Sequence, residues 1–233
     1  MFIPLYDYNP LRHVARPYIN YALIVLTTLS FFVTGGFDQY AVENAAVGYG
    51  FIPSVVNDLE DLPATYVRVP EDATYLTYAF LHANWLHLGG NLLFLWVFGD
   101  NVEDALGHAR YVLFYASCAI AAALVHSIVN PASTAPLIGA SGAVAGVVGA
   151  YLVLHPRVKL WILAFGRIPL KLSAALVLSA WALFQVFNIV IAHPDEAVAW
   201  WAHLGGMASG ALLVVVLRRR GVALFDRNTP EPG

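Results

Sequence analysis

Ser141 lies in the run Gly139-Ala140-Ser141-Gly142, and His203 follows Ala202 in a second apolar run further along the chain. Polar groups are costly inside a bilayer, so each is a functional candidate there. A hydroxyl and an imidazole are the parts of a nucleophile and its general base. His87 and Asn91 share the setting and, at i and i+4, one helical face. Taken singly, each has a bland reading as a hydrogen bond between helices, and a lone serine can bond back to its own backbone. Depth argues for the group. At about 1.5 Å per residue from the cytoplasmic ends of their runs, Ser141 sits about 20 Å up, His203 about 21 Å and His87 about 17 Å. Three runs therefore bring polar groups to one layer, roughly 10 Å below the outer surface of a core about 30 Å thick.

The elements that position these residues are membrane spans. The 233 residues are 59% hydrophobic and only 12% charged, with mean hydropathy +0.66. A soluble domain carries about a quarter charged residues, so the composition predicts a polytopic membrane protein. A net charge of −3 argues against a nucleic-acid partner. The one cysteine, Cys118, excludes an intramolecular disulfide and reads as an inert packed thiol. Six apolar runs are long enough to enter the hydrocarbon: about 18–34, 75–98, 111–129, 141–154, 172–192 and 200–217. The first is read as a retained span and not a signal peptide, because no small-residue cleavage site follows it. The expectation is an all-α, six-span bundle forming one membrane domain over 1–233, with a long acidic outer loop at 35–74.

Cations set the orientation. With the N-terminus inside, Arg12, Arg16, Arg110, Arg157, Lys159, Arg167, Lys171, Arg218, Arg219, Arg220 and Arg227 are cytoplasmic, and only Arg68 is outside. Both termini are therefore expected in the cytoplasm. Pro156-Arg157 and the apolar patch 160–165 are read as a segment along the inner face.

The fourth run is too short to cross. Residues 142–154 cover only about 20 Å, so this helix must begin inside the membrane. Irregular backbone at that depth is tolerated where it lines a water-filled cavity or is buried in protein, and segment 131–140 is expected to dip in to meet it. Ser141 would then stand at a recessed helix N-terminus, where free N–H groups favour developing negative charge. Gly142, Gly146 and Gly149 in the fourth run, and Gly206 and Gly210 in the sixth, give small-xxx-small patterns that let helix backbones approach closely.

Together these residues resemble one family, the rhomboid intramembrane serine proteases. His82-Ala-Asn-Trp-Leu-His87-Leu-Gly-Gly-Asn91 is similar to its second-span signature, and Gly99-Asp-Asn-Val-Glu103-Asp-Ala-Leu-Gly107 to the loop that follows. Gly139-Ala-Ser141-Gly142 resembles its GxSG nucleophile motif, and Ala202-His203-Leu-Gly-Gly206 its sixth-span AHxxG motif. The resemblance implies Ser141 as nucleophile and His203 as general base. His87, Asn91 and the Ser141 N–H would form the oxyanion hole, with Gly139, Gly142, Gly206 and Glu103 in support. Ala145 stands where some members carry an aromatic against the histidine, so other neighbours are expected to hold His203.

The chemistry expected is acyl transfer, with no cofactor and no metal: HExxH is absent, and no acidic ligand lies in the spans. No Asp or Glu lies at the depth of the dyad either, so orientation of His203 is expected from packing and the tight helix crossing. His82, about 140° around a continuous helix from His87, is expected to face elsewhere, in a structural or water-organising role. The expected substrates are single-span membrane proteins whose helix unwinds near its outer end. They would enter from the lipid bilayer beside the fifth span, where Trp181, Phe184, Gln185 and Phe187 would form a movable gate. Absence of an organellar transit peptide favours a prokaryotic plasma membrane. The alternative is a catalytically silent rhomboid-like protein that binds membrane helices. A small transporter is disfavoured because no inverted repeat is visible.

Overall fold

The computed structural model describes residues 2–191 and 199–226, so the expected cytoplasmic Arg227 and the last residue of the fifth run, Ala192, lie outside the described residues. A strand β1 (Phe2–Asp7) opens the chain, followed by α1 (Tyr18–Val33). The outer loop folds into α2 (Gln39–Tyr49), α3 (Pro53–Val56) and the start of α4 (Glu71–Thr77). Then come a 3-10 turn (Tyr78–Phe80), α5 (Trp85–Phe94), a π turn (Leu95–Gly99), α6 (Asp100–Leu106), α7 (His108–Val129) and α8 (Ser141–Leu154). Strands β2 (Lys159–Ala164) and β3 (Ile168–Ser173) precede α9 (Ala174–Ile191) and α10 (Trp200–Leu217). Three of these helices, α7, α9 and α10, are long and apolar enough to cross a membrane, and α1 and α8 are shorter apolar helices.

The protein is mostly helical, but the expectation of an all-α fold needs correction. β1, β2 and β3 form an antiparallel sheet in that order. The patch read as a segment along the inner face is a hairpin, turning at Phe165 and Gly166, both at positive φ. Its partner strand comes from the far N-terminus, so no local pattern announces the pairing.

The second apolar run also departs from one continuous helix. After the 3-10 turn, residues 81–84 are irregular, and Asn84 restarts the helix as N-cap: its extended backbone lets the side chain accept from the His87 N–H at 2.9 Å. Lower down, the π turn frees the Leu95 carbonyl, which accepts from Asn20 Nδ2 at 2.9 Å. Tyr111 Oη–H donates to Asn20 Oδ1 at 3.0 Å. Gly99 belongs to the same knot: a Cβ there would lie 2.1 Å from Asn20 Oδ1.

Glu103, fully buried in α6, caps another helix. Its carboxylate accepts from the backbone N–H of Ile19 (3.1 Å) and Asn20 (2.7 Å), first-turn donors of α1 that have no intrahelical partner. His108 Nδ1 shares the same carboxylate. Beside it, Asp104 accepts from the N–H of Arg12, His13 and Val14, which fixes the approach to α1. The expected result for Glu103→Ala is a loss of about 1–3 kcal/mol of stability, read as a lower thermal unfolding midpoint in mild detergent. Glu103→Gln keeps one acceptor oxygen and should lose less.

Near β1, Tyr151 Oη–H donates to Asp7 Oδ2 at 2.6 Å and Asn101 Nδ2 to the same oxygen at 3.2 Å. Burial pushes the Asp7 carboxyl up from 3.8 to about 7; the Tyr151 hydrogen bond opposes the rise and the nearby Asp100 charge adds to it. Because the folded value lies above the unfolded one, the folded state holds the extra proton between these limits. Stability should therefore fall as pH rises from 3.8 to about 7. Unfolding midpoints across that window should slope downward, and Asp7→Asn should flatten the slope.

Candidate active site

Ser141 is the first residue of α8, and the chain reaches it through a tightly held segment. Leu137 and Phe51 exchange backbone hydrogen bonds at 2.8 and 3.1 Å, Ser54 N–H donates to Ser133 O, and Gly139 N–H donates to Tyr78 O at 2.9 Å. Tyr78 is itself anchored by its hydroxyl to the Ala119 carbonyl of α7. Gly139 sits at φ +117, where side chains are strained, and a Cβ there would lie 2.5 Å from His87 Nε2. The imidazole of His87 thus lies against the loop two residues before the serine.

Backbone contact joins α8 to α10. A Cβ on Gly206 would meet the Gly142 carbonyl at 1.9 Å, and one on Gly210 the Gly146 carbonyl at 2.0 Å. A Cβ on Gly149 would stand 2.2 Å from the Met207 carbonyl. Helix axes this close bring side chains one turn away within direct reach. Ser141 Oγ lies 2.8 Å from His203 Nε2, a full hydrogen bond between residues 62 apart.

The other ring nitrogen of His203 is also occupied. Its Nδ1 is 2.9 Å from Gln185 Oε1, on α9. The ring stands near two indoles: Trp181 with centroids 6.3 Å apart, and Trp200 edge-to-face at 6.0 Å. The sequence placed Gln185 among gate residues and left His203 to packing and the tight helix crossing; the structure also seats Gln185 on the imidazole. One signal was available in the sequence, since an amide in a run of Leu, Val and Phe is as exceptional as the serine. Ala145, fully buried in α8, supplies no aromatic, and α9 and α10 supply two.

Asn91 and His82 close the far side. Asn91 Nδ2 donates to His82 Nε2 at 3.0 Å and to the His87 carbonyl at 3.1 Å. Ala140 N–H also points at His82 Nε2, at 3.4 Å. His82 is 1% exposed and its ring centroid lies 4.9 Å from that of His87. It therefore joins the cluster and does not face elsewhere: the 140° argument presumed a helix through residues 81–84, where the backbone is irregular. Glu103 lies apart, in the cap of α1. No group of three His, Cys, Asp or Glu among the described residues is placed to hold a metal.

The fold and site define a class, a helical integral membrane protein carrying a hydrogen-bonded serine–histidine pair at a helix N-terminus. A rhomboid-domain family profile matches residues 70–220, and the chain belongs to the rhomboid family. It is 31% identical over 171 residues to Rhomboid-like protein 11, chloroplastic, of Arabidopsis thaliana, covering 71% of this chain and 60% of that protein. Against Rhomboid protein 1, mitochondrial, of Saccharomyces cerevisiae, identity is 32% over 58% of this chain and 38% of the relative. Against Rhomboid protease GluP of Bacillus subtilis it is 30% over 61% of this chain and 25% of the relative. The matched region thus spans 60% or less of each of these three relatives.

Proposed function

We propose that this protein is an intramembrane serine endopeptidase that cleaves single-span membrane proteins near the outer face. The observation that carries the reading is the Ser141–His203 hydrogen bond of 2.8 Å. Ser141 attacks the scissile carbonyl while His203 takes its proton, then passes it to the leaving amine. The N–H groups opening α8 face the developing oxyanion, with His87 and Asn91 beside them. Both amide hydrogens of Asn91 are engaged internally, with His82 and the His87 carbonyl. An oxyanion held by Asn91 would exchange one of these bonds for its own.

Six spans, with the short α8 as the fourth, and termini in the cytoplasm of a prokaryotic plasma membrane complete the reading. The cation asymmetry supports this orientation. Substrate enters from the lipid beside α9, the least buried of the three long helices, whose Leu183, Phe184 and Phe187 are exposed. The test needs no guess at the substrate: a fluorophosphonate should label purified wild type in mild detergent, and neither Ser141→Ala nor His203→Ala. A well-folded wild type that stays unlabelled would point to a helix-binding, catalytically silent rhomboid.

A further inference from the structure

Helix α9 turns the polar side chain of Gln185 inward and several large apolar side chains outward. Gln185 is 2% exposed, whereas Leu183, Phe184 and Phe187 are exposed. The buried residues Ala174, Val177, Leu178 and Gln185 recur at helical spacing and form one stripe toward the rest of the protein. A buried amide on such a stripe must find partners for both of its ends. At one end, Gln185 Nε2 donates to the Trp181 carbonyl at 3.4 Å. That bond uses the nitrogen, so the oxygen is the atom turned toward His203 Nδ1, 2.9 Å away.

A carbonyl oxygen only accepts, so His203 Nδ1 must carry a hydrogen. In a neutral imidazole the lone pair then falls on Nε2, the atom 2.8 Å from Ser141 Oγ. This is the tautomer that a general base needs, and the other tautomer would aim an N–H at the serine. When the ring takes the serine proton, its charge is shared toward an oxygen already in place. No reorganisation is required at that moment. The amide does this without carrying charge, so it escapes the desolvation cost of a carboxylate in the membrane.

We propose that Gln185 is the positioning residue of the dyad, holding His203 by its Nδ1–H in the orientation and tautomer that let it activate Ser141. The inference rests on the protease reading and adds a third member to the site, contributed by the helix beside which substrate enters. Displacement of α9 outward withdraws the acceptor from His203, so the base is positioned best while α9 is docked.

The experiment compares purified wild type with Gln185→Leu, Gln185→Glu and Leu176→Val in mild detergent. Fluorophosphonate labelling rates and nitrogen-15 histidine NMR are the readouts. Gln185→Leu should label roughly tenfold more slowly or worse. Gln185→Glu, which retains an acceptor oxygen, should recover most of the rate, and Leu176→Val, at an exposed position of the same helix, should match wild type. NMR should show His203 protonated at Nδ1 in wild type and a mixture of tautomers in Gln185→Leu. Labelling of Gln185→Leu at the wild-type rate overturns the proposal, and so does slow labelling with an unchanged tautomer, which would mark a merely structural role. If wild type fails to label, the protease reading falls instead. The NMR arm still decides the role of Gln185, because a wild-type ring protonated at Nε2 overturns it.

Discussion

Ser141→Ala and His203→Ala should each reduce cleavage of a single-span reporter in membranes by at least about 10³-fold, and the double variant should be no slower than either. The expectation of non-additivity comes from the geometry. Oγ and Nε2 share one hydrogen bond, and an alkoxide cannot form without the base that takes its proton. Removing either group removes the same step. What remains is binding and the oxyanion-stabilising N–H groups, which belong to the backbone at the start of α8 and survive both substitutions. Neither substitution should lower the unfolding midpoint greatly, because both delete atoms from a partly exposed site and leave the α8–α10 backbone contact intact. Independent losses that multiply in the double variant would mean that the two side chains act in separate steps, contrary to the dyad.

Gly206→Ala should cost on the order of 10²-fold in activity while leaving every reacting group in the chain. The new Cβ would sit 1.9 Å from the carbonyl oxygen of Gly142, the residue after the nucleophile. That atom is backbone and cannot rotate away, so the helices must separate. Restoring even a tight contact of 3.0 Å needs about 1 Å of movement, which takes the Ser141–His203 bond from 2.8 Å to nearly 4 Å, beyond hydrogen-bond range. A misplacement of about 1 Å can cost on the order of 10²-fold in rate, and overpacking of this kind costs about 1–3 kcal/mol in stability. The labelling rate and the unfolding midpoint should therefore fall together. Gly89→Ala is the control, since a Cβ there meets nothing within 4 Å. Wild-type labelling by Gly206→Ala would show that the two helices have more room than their backbones indicate.

The contrast between Gly206 and Gln185 shows where sequence reading reached and where it stopped. Gly142, Gly146, Gly206 and Gly210 announce close approach because glycine at helical spacing in an apolar run has few other uses. Asn84 offered a signal too: an N-cap residue three positions before His87 marks a helix start. Continuous hydropathy across 75–98 masked it, and with it the true place of His82. Gln185 is a different case. The sequence shows a polar residue in α9, but the partner it meets depends on how that helix is rotated and docked against α10.

The chain's own order of residues determined the apolar runs, the asymmetry of the cations and the common layer expected for Ser141, His203 and His87. These are local quantities, because transfer to hydrocarbon is settled span by span and depth by counting residues. Tertiary structure alone decided the pairing of β1 with β2, the Glu103 cap on α1 and the Gln185–His203 bond. Each of these joins groups far apart in the chain, and a hydrogen bond depends on tenths of an ångström and on direction. Such precision is set only when all the helices pack at once.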